Sequence, residues 1–232
     1  TRYWRDWSSD VCSSDLSVEP LFSSPLARFQ VKDFVNTYLD IDYTREKDDR
    51  WFQNPKQYNV WNHKSHDILK EEGYEDLAKM VQSGVETYIY DVLSFSKNVK
   101  AIRTSSWLTI GDDKCATSEH LHTNSIYSGI LYLKSLPKSG DLYFVSGDYP
   151  NYCTTTVKPS PEKFNIFNSD TYYVTPNTGD LFVFPSHLRH GVTPNESGES
   201  RCALAFNYFL GGLISDQNTG YLYLNYEDCT NN

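Results

Sequence analysis

The feature that most limits the fold of this chain is a succession of short β-branched and aromatic segments in its C-terminal half. Gly, Pro, Asn and Asp separate these segments, a pattern typical of antiparallel sheet proteins. We predict eight strands, at 99–110, 120–124, 128–133, 140–145, 171–174, 180–184, 201–210 and 221–226.

Two helices are predicted ahead of the strands. Ser24 and Pro25 match an N-cap and a first helical position, and apolar residues recur at roughly helical spacing over 26–38. A second apolar face runs over 77–93, whereas 40–61 lacks a period and predicts a loop or short strands. Helices followed by strands predict a mainly β fold, with a helical layer on an antiparallel barrel or sandwich.

The chain is expected to form one domain. Residues 1–16 show no hydrophobic period and contain two Ser-Ser-Asp repeats, so we interpret them as a non-native leader. Neither an internal repeat nor a linker interrupts residues 17–232. A single domain over that range is therefore predicted, with its core at about 99–210.

Charge and cysteine usage restrict the partners and the compartment. Thirty acidic and 21 basic residues give a net charge of −9, which argues against nucleic acid or an anionic membrane as the main partner. No apolar stretch is long enough for a transmembrane helix, and the N-terminus does not resemble a secretory signal. Five scattered cysteines without a Cys-x-x-Cys pair indicate buried thiols in a reducing, cytoplasmic setting.

Four of the six histidines fall in two tight groups within the β-rich half. Residues two apart on a strand point to the same face, so His120 and His122 would present two imidazoles together. His190, after the predicted strand 180–184, is placed to supply a third metal ligand while other positions stay open. We expect His187 to face solvent, with the mouth of a substrate site as the alternative.

Polar residues on neighbouring predicted strands point to an anion site beside this metal. Arg201 opens an apolar strand, and a guanidinium that points into a barrel requires a partner such as a carboxylate. Tyr132 offers a hydroxyl for the same anion. Asn207 lies six residues after Arg201 and shares its face, so we predict that it bonds the anion or its neighbours, or else satisfies backbone groups.

Three segments together carry a family resemblance: EHLHTNSIYSGILYLK at 119–134, GDLFVFPSHLRHGVTP at 179–194 and ESRCALAFN at 199–207. In this order they resemble the 2-oxoglutarate/Fe(II)-dependent oxygenases common in marine phages and bacteria, which are relatives of the prolyl hydroxylases. The resemblance covers roughly 102–207. It implies a double-stranded β-helix, or jelly roll, with the N-terminal helices packed on it and Fe(II) at one open end.

The resemblance also implies roles for individual residues, with one departure from the family pattern. It makes His190 an iron ligand and Arg201, assisted by Tyr132, the binding partner of the far carboxylate of 2-oxoglutarate. The wider superfamily has His-x-Asp where this chain has His120 and His122 around Leu121. Three assignments stay open: both histidines bind, His122 binds with Asn124 as a weak ligand, or one position is empty. Glu119 is a reserve carboxylate.

The implied activity is that of a dioxygenase that converts 2-oxoglutarate to succinate and carbon dioxide and hydroxylates an unidentified small molecule, peptide or protein. Two rival readings remain. A catalytically degenerate binding or structural protein, for instance phage-encoded, would explain the missing Asp but not the retained His190 and Arg201. A cupin-type enzyme with three histidine ligands and no 2-oxoglutarate would leave Arg201 without a task.

Overall fold

Strands dominate the fold. The structure is a computed structural model, and it describes residues 23–31, 49–146, 160–165, 167–215, 218 and 220–225. The helical segments are a 3₁₀ turn (Ile68–Lys70) and α1 (Glu75–Thr87), which continues as a π-helical turn (Tyr88–Val92). The strands are β1 (Ala27–Gln30), β2 (Trp51–Gln53), β3 (Val60–His63), β4 (Val99–Gly111), β5 (Thr117–His120), β6 (Tyr127–Lys134), β7 (Leu142–Val145), β8 (Thr171–Val174), β9 (Asp180–Pro185), β10 (Arg189–Val192), β11 (Arg201–Ser215) and β12 (Leu222–Leu224).

The strands form two antiparallel sheets that pack face to face. The large sheet has the order β1-β9-β6-β11-β4-β3-β2, with β12 paired to β11, and the small sheet has the order β5-β10-β7-β8. One apolar cluster lies between the sheets, and a second lies between the large sheet and the helix. This arrangement confirms the predicted mainly β fold and matches a jelly roll.

Strand β9 shows why the large sheet lies in the middle of the molecule. Its inward residues Phe182 and Phe184 belong to the cluster between the sheets, whereas Leu181 and Val183 belong to the cluster under the helix. Both faces of the strand are therefore buried, which accounts for its uninterrupted apolar sequence. The large sheet is thus a rigid base for any side chain on its inner face.

The predicted second helix is confirmed as α1. Glu75 and Asp76 occupy its first turn, where the helix dipole favours negative charge. The Glu75 carboxylate also accepts the backbone N–H of Gly73 at 3.1 Å. The buried residues Leu77 and Val81 seat the helix on the outer face of the large sheet.

The predicted first helix is wrong where the structure describes it. Residues Ala27–Gln30 form β1, an antiparallel edge strand that pairs with β9. Their burial alternates, with Ala27 and Phe29 less exposed than Arg28 and Gln30, as a strand with one covered face requires. Backbone pairing along β9 outweighs a weak helical period over so short a segment. Residues 32–48 lie outside the described part of the chain.

Strand predictions were accurate in the centre of the fold and less accurate around the three histidines His120, His122 and His190. The strand predicted at 120–124 is wrong, because β5 ends at His120 and Asn124 adopts a left-handed backbone with φ 57°. The short strand β10, which contains His190, was not predicted. Residues 40–61 were predicted to form a loop or short strands, and in the described part of that range short strands are present as β2 and the start of β3.

The predicted burial of the cysteines is confirmed for the two that the structure describes. Cys115 and Cys202 are buried and form no disulfide, whereas Cys12, Cys153 and Cys229 lie outside the described residues, as does the predicted leader at 1–16. Among the described residues, no helix is long and apolar enough to span a membrane.

Candidate metal centre and carboxylate pocket

Strand register brings the two histidine groups together. His190 on β10 pairs directly with His120 on β5, and on its other side it pairs with Phe144 on β7. Side chains directly opposite each other in antiparallel strands are close neighbours. After β5 the chain turns, and the backbone N–H of His122 donates to the carbonyl of Ser186 at 3.1 Å. This bond holds His122 next to the strand pair although it is no longer part of a strand.

The ring nitrogens of His120, His122 and His190 converge. One ligand atom from each lies within 4.8 Å of the others, and the Nε2 atoms of His120 and His122 are 3.2 Å apart. The third ring is centred 4.4 Å from that of His120 and 5.0 Å from that of His122. Three imidazole nitrogens at this spacing are suited to a divalent transition metal such as Fe(II).

The two alternative ligands lie elsewhere. Asn124 is exposed in the turn after His122 and does not line the cleft at the triad. The carboxylate of Glu119 is engaged by Arg189, whose Nε donates to Oε1 at 2.6 Å. His187, the other histidine of the second group, is exposed, as expected of a solvent-facing residue.

Burial keeps the inner histidines neutral. His190 is 6% exposed and its ring lies 4.8 Å from that of Phe184. Burial lowers the pKa of His190 to about 3, and burial likewise lowers the pKa of His122. A neutral imidazole retains the lone pair that a metal requires. Desolvation therefore prepares the triad to bind a cation at neutral pH.

Arg201 lies at the other end of the same cleft, at the start of β11. Its side chain is almost fully buried at 5% exposure. Its Nη1 donates to the carbonyl of Ser139 at 2.5 Å and its Nη2 approaches the Sγ of Cys115 at 3.8 Å. In the described part of the chain no carboxylate pairs with it. A buried guanidinium with neutral neighbours is a binding site for an anion.

Two glycines make room for this guanidinium. A Cβ atom on Gly140, which has φ +99°, would lie 2.8 Å from Nη1 of Arg201 and 2.4 Å from a backbone oxygen. A Cβ atom on Gly111, the cross-strand partner of Arg201, would lie 2.3 Å from the Cys115 sulfur. Larger residues at either position would displace the arginine or its neighbours.

Tyr132 adds an unsatisfied hydroxyl near Arg201. The residue is fully buried on β6, and among the described residues its hydroxyl has no hydrogen-bond partner. Burial raises its pKa to about 12, and the nearby positive charge of Arg201 opposes that rise. A buried hydroxyl seldom stays unbonded in a native protein. A bound carboxylate would satisfy both the hydroxyl and the guanidinium.

The triad and Arg201 line one cleft of about 280 Å³. Its wall between them is apolar or small, with Ala203 and Ala205 on β11 opposite Leu142 and Val192. Arg201, Ala203 and Ala205 share the inner face of β11 because residues two apart alternate. The cleft can therefore hold a molecule with one end on a metal and an anionic end on Arg201.

Asn207 lies at the triad and not at Arg201. Its Oδ1 is 2.6 Å from Nδ1 of His122. Six residues along a strand span about 20 Å, so Asn207 and Arg201 share a face but not a small ligand. Asn207 was predicted to bond the anion or its neighbours, or else backbone groups. Its observed contact is with His122, a histidine of the candidate metal centre.

Several contributors to the site were not identified from the sequence. The hydroxyls of Ser186 and Ser128 contact one another at 2.7 Å beside His122. Ser139 and Cys115 both contact the guanidinium of Arg201. Each pair joins residues that are distant in sequence or lie in turns. Only the strand register reveals these contacts, and no local motif carries them.

Comparisons with known proteins agree with this geometry. Residues 105–207 match a family model described as "Putative 2OG-Fe(II) oxygenase". No curated protein matches the chain.

Solved structures with the same fold share little sequence with the chain. A prolyl-4-hydroxylase from Pseudomonas putida aligns with a TM-score of 0.52 at 16% identity, over 81% of this chain and 93% of its own. HygX from Streptomyces hygroscopicus, with nickel and 2-oxoglutarate bound, aligns with a TM-score of 0.50 at 11% identity, over 89% and 94%. A prolyl hydroxylase from Trichoplax adhaerens, in complex with a hypoxia inducible factor peptide fragment, aligns at 0.52 and 14% identity, over 79% and 83%.

The family match spans β4 to β11 and includes the three histidines, Tyr132 and Arg201. The donor set and the unpaired buried arginine suit the two cofactors of that family, Fe(II) and 2-oxoglutarate. Residues 105–207, somewhat less than half of the chain, are thus similar to the 2-oxoglutarate- and Fe(II)-dependent oxygenase family.

Proposed function

We propose that this protein is a 2-oxoglutarate-dependent dioxygenase that hydroxylates an unidentified small molecule or peptide. The observation that carries the proposal is the placement of a buried, unpaired Arg201 in the same cleft as three converging imidazoles. A metal site alone would not require a buried cation nearby, because like charges repel. A dianionic cosubstrate that spans the cleft would explain both the converging histidines and the buried arginine.

We assign the iron to His120, His122 and His190. All three ring nitrogens converge, whereas Asn124 does not line the cleft and Glu119 is held by Arg189. A set of three neutral ligands leaves the full dipositive charge of the metal uncompensated by protein. That charge favours an anionic cosubstrate at the open positions more strongly than a site with a carboxylate ligand would.

We assign the distal carboxylate of 2-oxoglutarate to Arg201 and Tyr132. The guanidinium retains donors beyond those used for Ser139 and Cys115, and a planar guanidinium suits bidentate contact with a carboxylate. The Tyr132 hydroxyl, buried and unbonded among the described residues, donates a further hydrogen bond. Recognition of the small dicarboxylate thus uses charge at one end and metal coordination at the other.

The residues of the chain position the reactants and exclude water. Iron held by the three histidines and 2-oxoglutarate held by Arg201 and Tyr132 would supply the oxidative chemistry, in which dioxygen oxidises 2-oxoglutarate to succinate and carbon dioxide and a C–H bond of the substrate to an alcohol. Leu142, Phe184 and Val192 give the cleft a dry wall beside the triad. A water-poor site protects the oxidant from side reactions and strengthens the contacts of Arg201.

The side of the cleft toward β2 and β3 is suited to a neutral polar substrate. Asn54, Gln57 and Asn62 line it together with Trp107. In the described part of the chain, Arg201 is the only Lys, Arg, Asp or Glu that lines the cleft. Amides recognise peptide groups or sugar hydroxyls equally well, and the Trichoplax neighbour that holds a peptide supports the peptide option.

Turnover of 2-oxoglutarate tests the proposal. We expect purified protein with Fe(II), ascorbate and oxygen to convert 2-oxoglutarate to succinate, slowly without substrate and faster when extracts or peptide pools supply one. His190→Ala should abolish succinate formation, whereas His187→Ala, which removes an exposed histidine three residues away, should not. Binding of 2-oxoglutarate without succinate under all these conditions would instead support a degenerate binding protein.

A further inference from the structure

The three candidate ligands differ in what fixes their ring protons. Nδ1 of His120 lies 2.8 Å from the carbonyl of Ser118, and Nδ1 of His190 lies 2.8 Å from the carbonyl of Leu188. A carbonyl can only accept, so both rings must carry the proton on Nδ1 and leave Nε2 free. These two tautomers are set by the backbone alone.

His122 lacks such a backbone acceptor. Its Nδ1 faces Oδ1 of Asn207 at 2.6 Å and the hydroxyl of Ser128 at 2.8 Å. A hydroxyl can donate or accept, and an amide presents either its oxygen or its NH₂ group to a neighbour. The tautomer of His122 therefore depends on how these two side chains are arranged.

The amide of Asn207 has two further contacts, both with serine hydroxyls. Its Nδ2 donates to the hydroxyl of Ser105 at 3.1 Å, and Oδ1 faces His122. The Ser128 hydroxyl donates to the same Oδ1 at 2.7 Å and therefore has no second proton for Nδ1 of His122. In this arrangement the ring carries its proton on Nδ1, and Nε2 is available to a metal.

The opposite arrangement would disable the site. An amide rotated by half a turn would point its NH₂ group at Nδ1 of His122 and place the ring proton on Nε2. That proton could then bond Nε2 of His120, only 3.2 Å away. The two nitrogens would satisfy each other and neither would bind a metal without losing that bond.

The large sheet fixes the place of this amide beside His122. Asn207 pairs with Ser105 on β4 and with Ser128 on β6, so three polar side chains lie side by side across three strands. The register against β4 shifts between Asn207 and Tyr208, as at a β-bulge, and bulges commonly redirect side chains near active sites. Ser186, 2.7 Å from Ser128, completes the network.

We infer that Asn207 is a positioning residue that sets His122 in the Nδ1-protonated tautomer and so presents its Nε2 to the metal. The role rests on the proposed function only in that His122 binds iron. The hydrogen-bond partner of a metal-binding histidine commonly fixes both ring orientation and tautomer, and its loss costs 10- to 100-fold in metal affinity. Here the partner is a neutral amide that also donates to the hydroxyl of Ser105.

The tautomer can be observed without metal or turnover. Two-bond ¹H–¹⁵N correlation spectra of the chelator-treated protein at pH 8 distinguish Nδ1–H from Nε2–H for each histidine. We expect Nδ1–H at His122 in the unchanged protein and a shift toward Nε2–H in Asn207→Leu. Asn207→Asp, which keeps an acceptor oxygen, should restore Nδ1–H. His120 and His190 serve as internal controls, because their backbone acceptors are unchanged in every variant.

Metal affinity provides the second readout. With Co(II) as the probe, we expect Asn207→Leu to bind roughly 10- to 100-fold more weakly and Asn207→Asp to bind at least as tightly as the unchanged protein. Asn207→Ala, which removes the amide without adding bulk, is the alternative should the leucine variant fail to fold. An Nε2–H signal at His122 in the unchanged protein, or an unaltered Nδ1–H signal at His122 in a variant that lacks the amide (Asn207→Leu or Asn207→Ala), would overturn the inference. A normal tautomer pattern without any Fe(II)–2-oxoglutarate complex would refute the proposed function and leave the inference standing.

Discussion

The two sheets make unlike contributions to the cleft. The small sheet supplies His120 and His190 from short strands, and the more exposed of the two, His120, lies at the end of its strand. The large sheet supplies Arg201, Tyr132 and Asn207 from long strands that are buried on one or both faces. Two of the three proposed metal ligands thus lie on the small sheet, whereas the proposed carboxylate partners and Asn207 lie on the large one.

This division separates binding from stability. Removal of an imidazole from the small sheet takes no member out of the two apolar clusters, although the ring of His190 packs against Phe184 in one of them. Changes near Arg201 instead affect buried backbone contacts on both sides of it. Variants at the histidines should therefore lose mainly metal affinity, whereas variants around Arg201 should also lose stability.

The largest effect is expected at the metal end. His190→Ala should reduce Fe(II) or Co(II) affinity by more than about 100-fold, because one of three ligands is lost. Anaerobic calorimetric titration would measure it, with His187→Ala as the matched control. Undiminished metal binding by the His190 variant would show that the ligand assignment is wrong.

The next effect is expected at the carboxylate end. Arg201→Gln should weaken 2-oxoglutarate binding roughly 10- to 100-fold, as the loss of a charged hydrogen-bonded contact implies, while metal affinity changes less than about twofold. Arg201→Lys, which keeps the charge without the planar fork, should fall between. Titration of the metal-loaded proteins with 2-oxoglutarate measures these affinities. Equal affinity in the unchanged protein and both Arg201 variants would show that Arg201 does not bind the carboxylate.

A smaller effect concerns pH and the buried ring of His190. Its folded-state pKa of about 3 lies below the unfolded value of about 6.5. As pH falls below 6.5 the unfolded chain binds a proton that the folded state does not, so stability is lost. Between pH 6.5 and 5 this amounts to about 2 kcal/mol. Urea unfolding of metal-free protein should show the loss, and His190→Leu should be less pH-sensitive by about that amount.

The smallest effect is expected at Glu119. Its exposed ion pair with Arg189 contributes little to stability, and its carboxylate is not part of the converging ligand set. Glu119→Gln should leave Co(II) affinity within about twofold of the unchanged protein. A large loss would mean that this carboxylate enters the metal site when the ion is bound.

Local patterns predicted those parts of the fold in which local and global preferences agree. Strand β8 was predicted with its observed bounds, and the helix at 77–93 was correct because one apolar face spans several turns. Residues 27–30 were misassigned because an alternating four-residue pattern was outweighed by a weak helical spacing. Their true partner, β9, lies about 150 residues away and no local signal reveals it.

The site shows the same limit. Clustering of His120, His122 and His190 indicated a metal centre, yet the expected reason, two residues on one strand face, does not hold because β5 ends at His120. A turn fixed by Ser186 brings His122 to the site instead. Asn207 was predicted from its shared face with Arg201, whereas separation along the strand decides which neighbours a residue can reach.

Anaerobic titration of the unchanged protein with Fe(II) and then 2-oxoglutarate tests the central claim most directly, because chelation of iron by the cosubstrate produces a visible charge-transfer band. Three histidines and one arginine on a single cleft predict a band that saturates at one iron and one 2-oxoglutarate per chain. A protein that binds iron but develops no band at saturating 2-oxoglutarate would contradict the account.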